Sequence, residues 1–477
     1  MPQACLLRME GVNLGAVLAD TSQISVIRGS SLLLRQAVKD VQHQFALQPV
    51  SVGASVGLFM RELATGQSTD AVVQEVADYL SRHADYRHLT FVVDALPFDG
   101  NFPACREKLI GMNRLRQLQQ VTVAVPDWSR DGHLVACAYD GLRPVNETAG
   151  KKVGEFVSES VASRFDFGRA QRQRFYAEEL GLATLEQGFT DDLQALSDDD
   201  SKGNLHRKVA VIYLDGNRFG AIQQTHCTTI AAQQAFDRHI QQLRRGFLRT
   251  LVDFANTDPD FQTDDHKLRL EVLLWGGDEI LLVVPAWKGM DTLQLFYQTS
   301  RDWVFKGEPL THAGGIVFSQ SNTPLYRLRS LAEDLANGVK QQQRANRWDY
   351  LILESMDFPA ESLTSLRQRQ FAHLADSRAP LLPFSAEALK VVHKHLEQGA
   401  IPRSQLMSLA YTALHKPAEF DKKLQRLATV LTEQQVQTVR TDLESLFGQT
   451  ETVWPWLHLA ELWDYLDTAR QEETAHA

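Results

Sequence analysis

Two segments far apart in the chain, MEGVNLGAV at residues 9–17 and LDGNRFGAI at residues 214–222, match in kind at almost every position, and this internal repeat constrains the fold more than any other feature. Each follows a strand-like run, ACLLR in one case and KVAVIY in the other, and each carries Gly, Asn, a large apolar residue and Gly. Downstream of each lies a helix-length segment, then a strand pair broken by glycines: SVGASVGLFM at 51–60 and LEVLLWGGDEILLVV at 270–284. A further helix and strand close each unit, LTFVVDA at 89–95 answering THAGGIVFS at 311–319. The order β-α-β-β-α-β predicts a ferredoxin-like sheet in each unit. The fold class expected is α+β.

With 477 residues the chain is long enough for about three domains of ordinary size. The repeat assigns residues 1–130 to a first, degenerate unit and 206–360 to a second. Residues 131–205 form an insertion that carries SRFDFGRAQRQRFY and then the acidic SDDDSKGN, which reads as a flexible loop. Arg164, Arg169, Arg172 and Arg174 in it fall at helical spacings; a solvated helical face is preferred over a phosphate site. From about 375 to 477 the pattern turns helical, as in SAEALKVVHKHLEQG and HKPAEFDKKLQRLATVLTEQQVQTVRTDLESLF, and predicts a C-terminal bundle.

The net charge of -10 argues against non-specific nucleic-acid binding by the whole surface, though a local basic face survives that average. The four cysteines, Cys5, Cys105, Cys137 and Cys227, form no C-x-x-C pair, so neither a disulfide framework nor a zinc site is indicated. No apolar run approaches the roughly 18 residues of a membrane span, and the N-terminus lacks a signal-peptide pattern. A cytoplasmic protein with no membrane partner is expected.

The strand pair at 270–285 holds its charge between two apolar runs. Gly276 and Gly277 permit a tight turn, which leaves Asp278 and Glu279 at or beside it. In a ferredoxin-like sheet, the arrangement also used by the palm of many polymerases and cyclases, this hairpin lies next to the end of the first strand, where Asp215 emerges. Three carboxylates at one edge repel one another unless protonated or bound to a cation, and oxygen ligands suit Mg²⁺ or Mn²⁺. Two such ions serve phosphoryl transfer without a protein nucleophile. The loop Gly216, Asn217, Arg218, Phe219 and Gly220 opens a helix whose amides can receive a triphosphate. The plainer reading, a solvated acidic turn, loses ground because LDGNRFG stands one unit upstream.

Together these residues resemble the palm of the large polymerase-cyclase subunit of type III CRISPR effector complexes, and more distantly the GGDEF diguanylate cyclases. The resemblance rests on Asp215 in YLDGN, on Gly276, Gly277, Asp278 and Glu279, on HAGGIVFSQSNTPLYRLRSLAEDLANGVK, and on IRGSSLLL and CAYDGLRP. It implies two palms, the second of which makes cyclic oligoadenylates from ATP, with Lys340 reaching phosphate. Departures are equally visible. The family hairpin usually ends in Asp where Glu279 stands, an acid longer by one methylene, which is expected either to shift the metal or to favour Mn²⁺. Asp140 stands where the family's zinc-binding insertion has a cysteine after Cys137, so no zinc is expected. No HD dipeptide opens a nuclease domain, and the chain is short for an effector subunit, as for a stand-alone relative.

The resulting expectation is a metal-dependent nucleotidyltransferase joining nucleoside triphosphates, ATP favoured, into a cyclic di- or oligonucleotide signal in anti-phage or CRISPR-like defence. Asp215, Asp278 and Glu279 hold two ions; Gly216, Asn217, Arg218, Phe219, Gly220, Gly276, Gly277 and Lys340 contact nucleotide. The alternative is a non-catalytic palm that scaffolds a nucleoprotein complex or binds a nucleotide; RNA and protein partners, an oligomer, and a mononucleotide product stay open. Glu10 aligns with Asp215, but the first hairpin, Gly53, Ala54, Ser55 and Val56, offers no acid, so the first palm is expected to be silent. His226 beside Cys227 reads as an ordinary pair, and His312 as a packing residue.

Overall fold

The computed structural model describes residues 4–120, 135–145, 156–342, 345–354, 362–371, 381, 385–398, 403–428, 441 and 454–466. The first unit runs β1 (Ala4–Gly11), α1 (Gly15–Leu18), α2 (Ile24–Gln44), β2 (Gln48–Val52), β3 (Val56–Glu62), α3 (Thr69–Arg82), β4 (Phe91–Pro97) and α4 (Phe102–Gln119). Its sheet has the order β2-β3-β1-β4 with antiparallel neighbours throughout, the ferredoxin-like arrangement that the repeat implies. One face of β1 turns Leu7 and Met9 toward α2 and α3, and the other turns Leu6 toward α4. This alternation is what a strand covered on both faces requires.

The connecting region contributes α5 (Glu159–Ala170), α6 (Arg172–Leu180) and α7 (Leu193–Ser197). Ser158 caps α5 by accepting from the Val161 amide at 3.3 Å. The arginines do not form the solvated face that their spacing suggests, because two of the four are buried. Arg164 is fully buried and donates to Asp20 at 2.8 Å and to the Val17 carbonyl at 2.8 Å. Arg172 is buried against Glu271 at 2.6 Å and the Thr190 carbonyl at 2.6 Å, while Arg169 and Arg174 are exposed. The spacing misleads because the helix breaks at Gln171, so the four arginines do not share one face. The acidic stretch SDDDSKGN runs into a 3-10 turn over Asp200–Leu205 that buries Leu205 and ties Lys202 to Asp260 at 2.7 Å.

The second unit comprises β5 (Lys208–Gly216), α8 (Phe219–His226), α9 (Ile230–Thr257), β6 (Glu271–Gly276), β7 (Glu279–Pro285), α10 (Ala286–Ser300), a two-residue ladder of β8 (Val304–Phe305) and β9 (Glu308–Pro309), β10 (His312–Gln320), α11 (Leu325–Gln342) and β11 (Arg347–Ile352). The sheet order is β11-β10-β5-β7-β6, with β11 a fifth strand parallel to β10. Every residue of β5 is buried. Ala210, Ile212 and Leu214 join the core of α9 and α10, whereas Val209, Val211 and Tyr213 join Leu328 and Ala332 of α11 and, from the first unit, Ile24 and Ile27 of α2.

The C-terminal helices are α12 (Leu363–Phe371), α13 (Ser385–Gln398), α14 (Arg403–His415), α15 (Phe420–Ala428) and α16 (Trp454–Leu466). Their Leu389, Leu406 and Leu457 enter the same core as Phe296 of α10, so these helices extend the second unit's core. Much of the segment from 429 to 450, part of the apolar periodicity noted above, lies outside the described residues. Among the described residues no helix is long and apolar enough to cross a membrane.

Candidate active site

The end of β5 and the β6–β7 turn meet because Asp215 pairs directly with Glu279 in the sheet register. Gly277 has φ +43°, the positive value that a tight hairpin turn demands at its first central position and that glycine supplies without strain. Gly276 has no positive φ; its want of a side chain serves a close approach instead, since a Cβ there would lie 2.3 Å from the Ala54 Cβ of the first unit's hairpin. The two hairpin tips therefore touch. The Gly216 amide donates to the Asp278 carbonyl at 3.0 Å, and a Cβ on Gly216 would stand 2.7 Å from the Asp278 Cβ. Asp278 thus folds over Gly216, beside Asp215 and Glu279.

The three carboxyls share one electrostatic predicament. Asp278 is raised above the usual carboxylate range by desolvation and then by Asp215. Glu279, whose side chain reaches solvent at the rim, is raised by desolvation in the crowded notch and by Asp278 and Asp215, and it accepts from the Tyr213 hydroxyl at 3.1 Å. Asp215 is raised by desolvation, against which the Lys340 ammonium pulls. Lys340 reaches from the last turn of α11 into an ion pair with Asp215. Glu333, one face of the same helix lower and paired with Arg329 at 2.6 Å, adds negative potential at Asp215 and Glu279. Sequence reasoning passed over Glu333; its seven-residue offset from Lys340, two helical turns, was the available signal.

Asp215, Asp278 and Glu279 offer the all-oxygen donor set that a hard divalent ion takes. Among the described residues no three acid, His or Cys side chains stand in a ready-made ligating arrangement, and the ammonium of Lys340 holds the place of a cation on Asp215. The donor chemistry fits a divalent ion, and the Lys340 ammonium pairs with Oδ2 of Asp215.

The loop from 216 to 220 divides its labour. Asn217 braces it: the amide donates to the Thr311 carbonyl at 2.8 Å, and Nδ2 donates to Thr311 Oγ1 at 3.1 Å and the Ala345 carbonyl at 3.0 Å, while Oδ1 is buried without a partner. Arg218, with φ +60°, turns the chain into α8 and lines a cavity of about 120 Å³ with Thr225, His226 and Thr311. Phe219 is buried, its ring 5.3 Å from that of His312, so its contribution to a ligand is confined to backbone. A side chain at Gly220 would meet nothing within 4 Å, which leaves room over the first turn, whose amides lack intrahelical acceptors. His312 is buried among Phe219, Phe296 and Trp303, and burial, aided by Lys340, pushes it down to about 3. It packs in its neutral form. His226 lies 3.8 Å from Glu308, beside buried Cys227.

The first unit repeats the backbone of this site without its hairpin acids. Glu10 pairs with Val56 as Asp215 pairs with Glu279, and the Gly11 amide donates to the Ser55 carbonyl at 2.7 Å as Gly216 does to Asp278. Ser55 and Val56 therefore stand where Asp278 and Glu279 stand, and Glu10 is already paired with Arg8 at 2.5 Å. In the connecting region Asp140 caps a turn, accepting from the Leu142 and Arg143 amides at 2.9 Å each, and Cys137 is buried.

Residues 208–348 match the family model described as Cas10/Cmr2, second palm domain. No curated protein sequence matches the chain. Among solved structures, a Csm1-Csm4 cassette in complex with cA4 superposes with a TM-score of 0.55 at 14% identity, covering 98% of this chain and 70% of that one. Csm1 in T.onnurineus gives 0.54 at 12% identity, with 97% and 69% covered. The Csm1-Csm4 subcomplex of the type III-A CRISPR-Csm interference complex gives 0.54 at 13% identity, with 97% and 70% covered. At these identities the structures show a shared fold. The chain is therefore similar to Cas10/Cmr2 in its second palm and to Csm1 in its fold.

Proposed function

We propose that the second palm, of the Cas10/Cmr2 kind, is a metal-dependent nucleotidyltransferase site that joins nucleoside triphosphates, ATP favoured, into a cyclic di- or oligonucleotide within a CRISPR-like protein assembly. The observation that carries this reading is that the sheet sets Asp215 opposite Glu279 and folds Asp278 over Gly216, with desolvation foremost in holding each carboxyl toward its neutral form, beside the open first turn of α8. A site that resists its own negative charge is one that gains most from a cation. Bound divalent ions, two Mg²⁺ or Mn²⁺, would supply charge neutralisation and activation of a 3′-hydroxyl. The chain's residues supply the rest. Asp215, Asp278 and Glu279 are the oxygen donors. Lys340 would exchange the Asp215 carboxylate for a triphosphate oxygen, and the amides of Phe219 and Gly220 would receive phosphate at the positive end of α8. Support from relatives comes from Csm1-Csm4 cassettes in complex with one ATP, with pppApApA and with cA3.

The Lys340–Asp215 ion pair favours one rival, a palm that binds nucleotide without turning it over. A single experiment separates the two. Purified protein incubated with each triphosphate and Mg²⁺ or Mn²⁺ should yield a cyclic product by mass spectrometry, and Asp278→Ala should abolish it. Nucleotide binding with no product, alone or with the partner subunits that such assemblies contain, would leave the binding palm as the answer.

A further inference from the structure

A cleft of about 680 Å³ opens between α2 and α9, and its wall includes Gly53 and Trp275, the residues that precede the touching hairpin tips. None of Asp215, Asp278 and Glu279 lines it. Its cations are Arg35 and Lys39 from α2, Arg174 from α6, and Arg238, Arg244 and Arg245 from α9.

The acids that share this wall are already satisfied. Glu178 accepts from Lys39 at 2.6 Å and from Arg174 at 3.0 Å. Glu179 pairs with Arg35, accepts from the Trp275 indole at 2.9 Å and lies 3.5 Å from Arg245. Asp237 accepts from Ser51 at 3.0 Å, the Val52 amide at 3.3 Å and Gln241 at 2.9 Å, and Asp40 accepts from Gln36 at 2.7 Å and from the Tyr86 hydroxyl. Arg244 is left over. It is 7% exposed, its Nε and Nη1 are buried without hydrogen-bond partners, and its guanidinium sits 5.7 Å from the Trp275 ring centroid. Burial pushes its ionisation down to about 10, with the Glu179 charge pulling the other way, so it stays cationic at neutral pH.

A buried guanidinium with unmet donors is costly unless an acceptor arrives, and the planar fork of arginine matches the oxygens of a phosphate group. The cleft's volume falls in the range of small-molecule sites, larger than bare phosphate requires. We propose that this interpalm cleft is a second, metal-independent anion site in which Arg244 grips the phosphate group of a nucleotide, with Arg238 and Lys39 at the rim. The assignment stands apart from the transfer reaction proposed above. Because Arg244 lies over Trp275, and Trp275 leads directly into Gly276, Gly277 and Asp278, a bound phosphate bears on the turn that carries the metal-site acid.

The test is calorimetric titration of the full chain in EDTA with adenosine monophosphate and, separately, with inorganic phosphate. The nucleotide should bind the wild type and Asp278→Asn alike. Arg244→Gln should weaken it at least tenfold, and the exposed Arg238→Gln, which leaves the core untouched, about threefold, with both variants folded by circular dichroism. Binding that needs metal, or that is lost in Asp278→Asn and kept in both arginine variants, would overturn the site. Inorganic phosphate binding as tightly as the monophosphate would overturn the nucleotide assignment.

Discussion

At Asp278 the turn sets a carboxylate where burial and Asp215 both resist its ionisation. The folded protein therefore binds that proton more tightly than the unfolded chain, so this group's contribution to stability is present at low pH and is lost as pH rises from the ordinary carboxylate value through the raised one. Asp215 and Glu279 shift the same way and reinforce the sign. Asp278→Asn should accordingly raise the melting temperature of metal-free protein at pH 7 by roughly a degree or two while abolishing turnover, and calorimetry in EDTA checks it. A lower melting temperature would show that Asp278 makes a stabilising contact. The same residue-scale logic separates the palms. Asp215→Ala should cost roughly a thousandfold in rate, about 4 kcal/mol, whereas Glu10→Ala, which releases only Arg8, should leave most activity intact. Equal losses in two folded variants would end the single-active-palm reading.

Between β6 and β7 the glycines announced the turn, and the repeat at Gly11 and Gly216 announced where it docks, so the candidate site was legible from local chemistry. What stayed hidden depends on contacts between distant elements. Nothing in GGDE says that Gly276 faces Ala54, and the β-α-β-β-α-β pattern does not foretell β11 as a fifth strand beside β10. Arg164 and Arg172 read as a solvated face because spacing ignores the break at Gln171, and because their partners Asp20 and Glu271 lie far away in sequence. Glu271 of β6 is the hub of one such cluster, taking Arg28 at 2.6 Å and Arg172 at 2.6 Å in a buried setting. Glu271→Gln would strand two buried guanidinium groups and should destabilise the fold by about 3–5 kcal/mol, read as a lower urea midpoint. Gly276→Ala would drive a methyl group into Ala54 and cost about 1–3 kcal/mol. Pairing it with Ala54→Gly should restore part of that loss, since the two positions touch.

Across the whole molecule each unit's long helix lies against the edge strand of the other: α2 joins β6 through Arg28 and Glu271, and α9 joins β2 through Asp237 with Ser51 and Gln234 with the Pro49 carbonyl. Ile24 and Ile27 of the first unit even sit in the second unit's core. Such reciprocal docking closes two sheet edges at once and makes each unit part of the other's interior. The two should therefore unfold together rather than as independent domains. The distribution of tryptophan offers a clean reading, because residues 1–120 contain none of the chain's 8 tryptophans, and seven of them, from Trp275 to Trp463, lie in the second palm and the C-terminal region. Leu7→Ala removes a fully buried side chain from the first unit's core and should cost about 2–5 kcal/mol. If the units are coupled, that loss appears in the urea transition followed by tryptophan fluorescence, as a lower midpoint with unchanged slope. If the tryptophan transition stays put while circular dichroism reports an earlier partial unfolding, the palms are energetically separate and the crossed helices are contact without cooperativity.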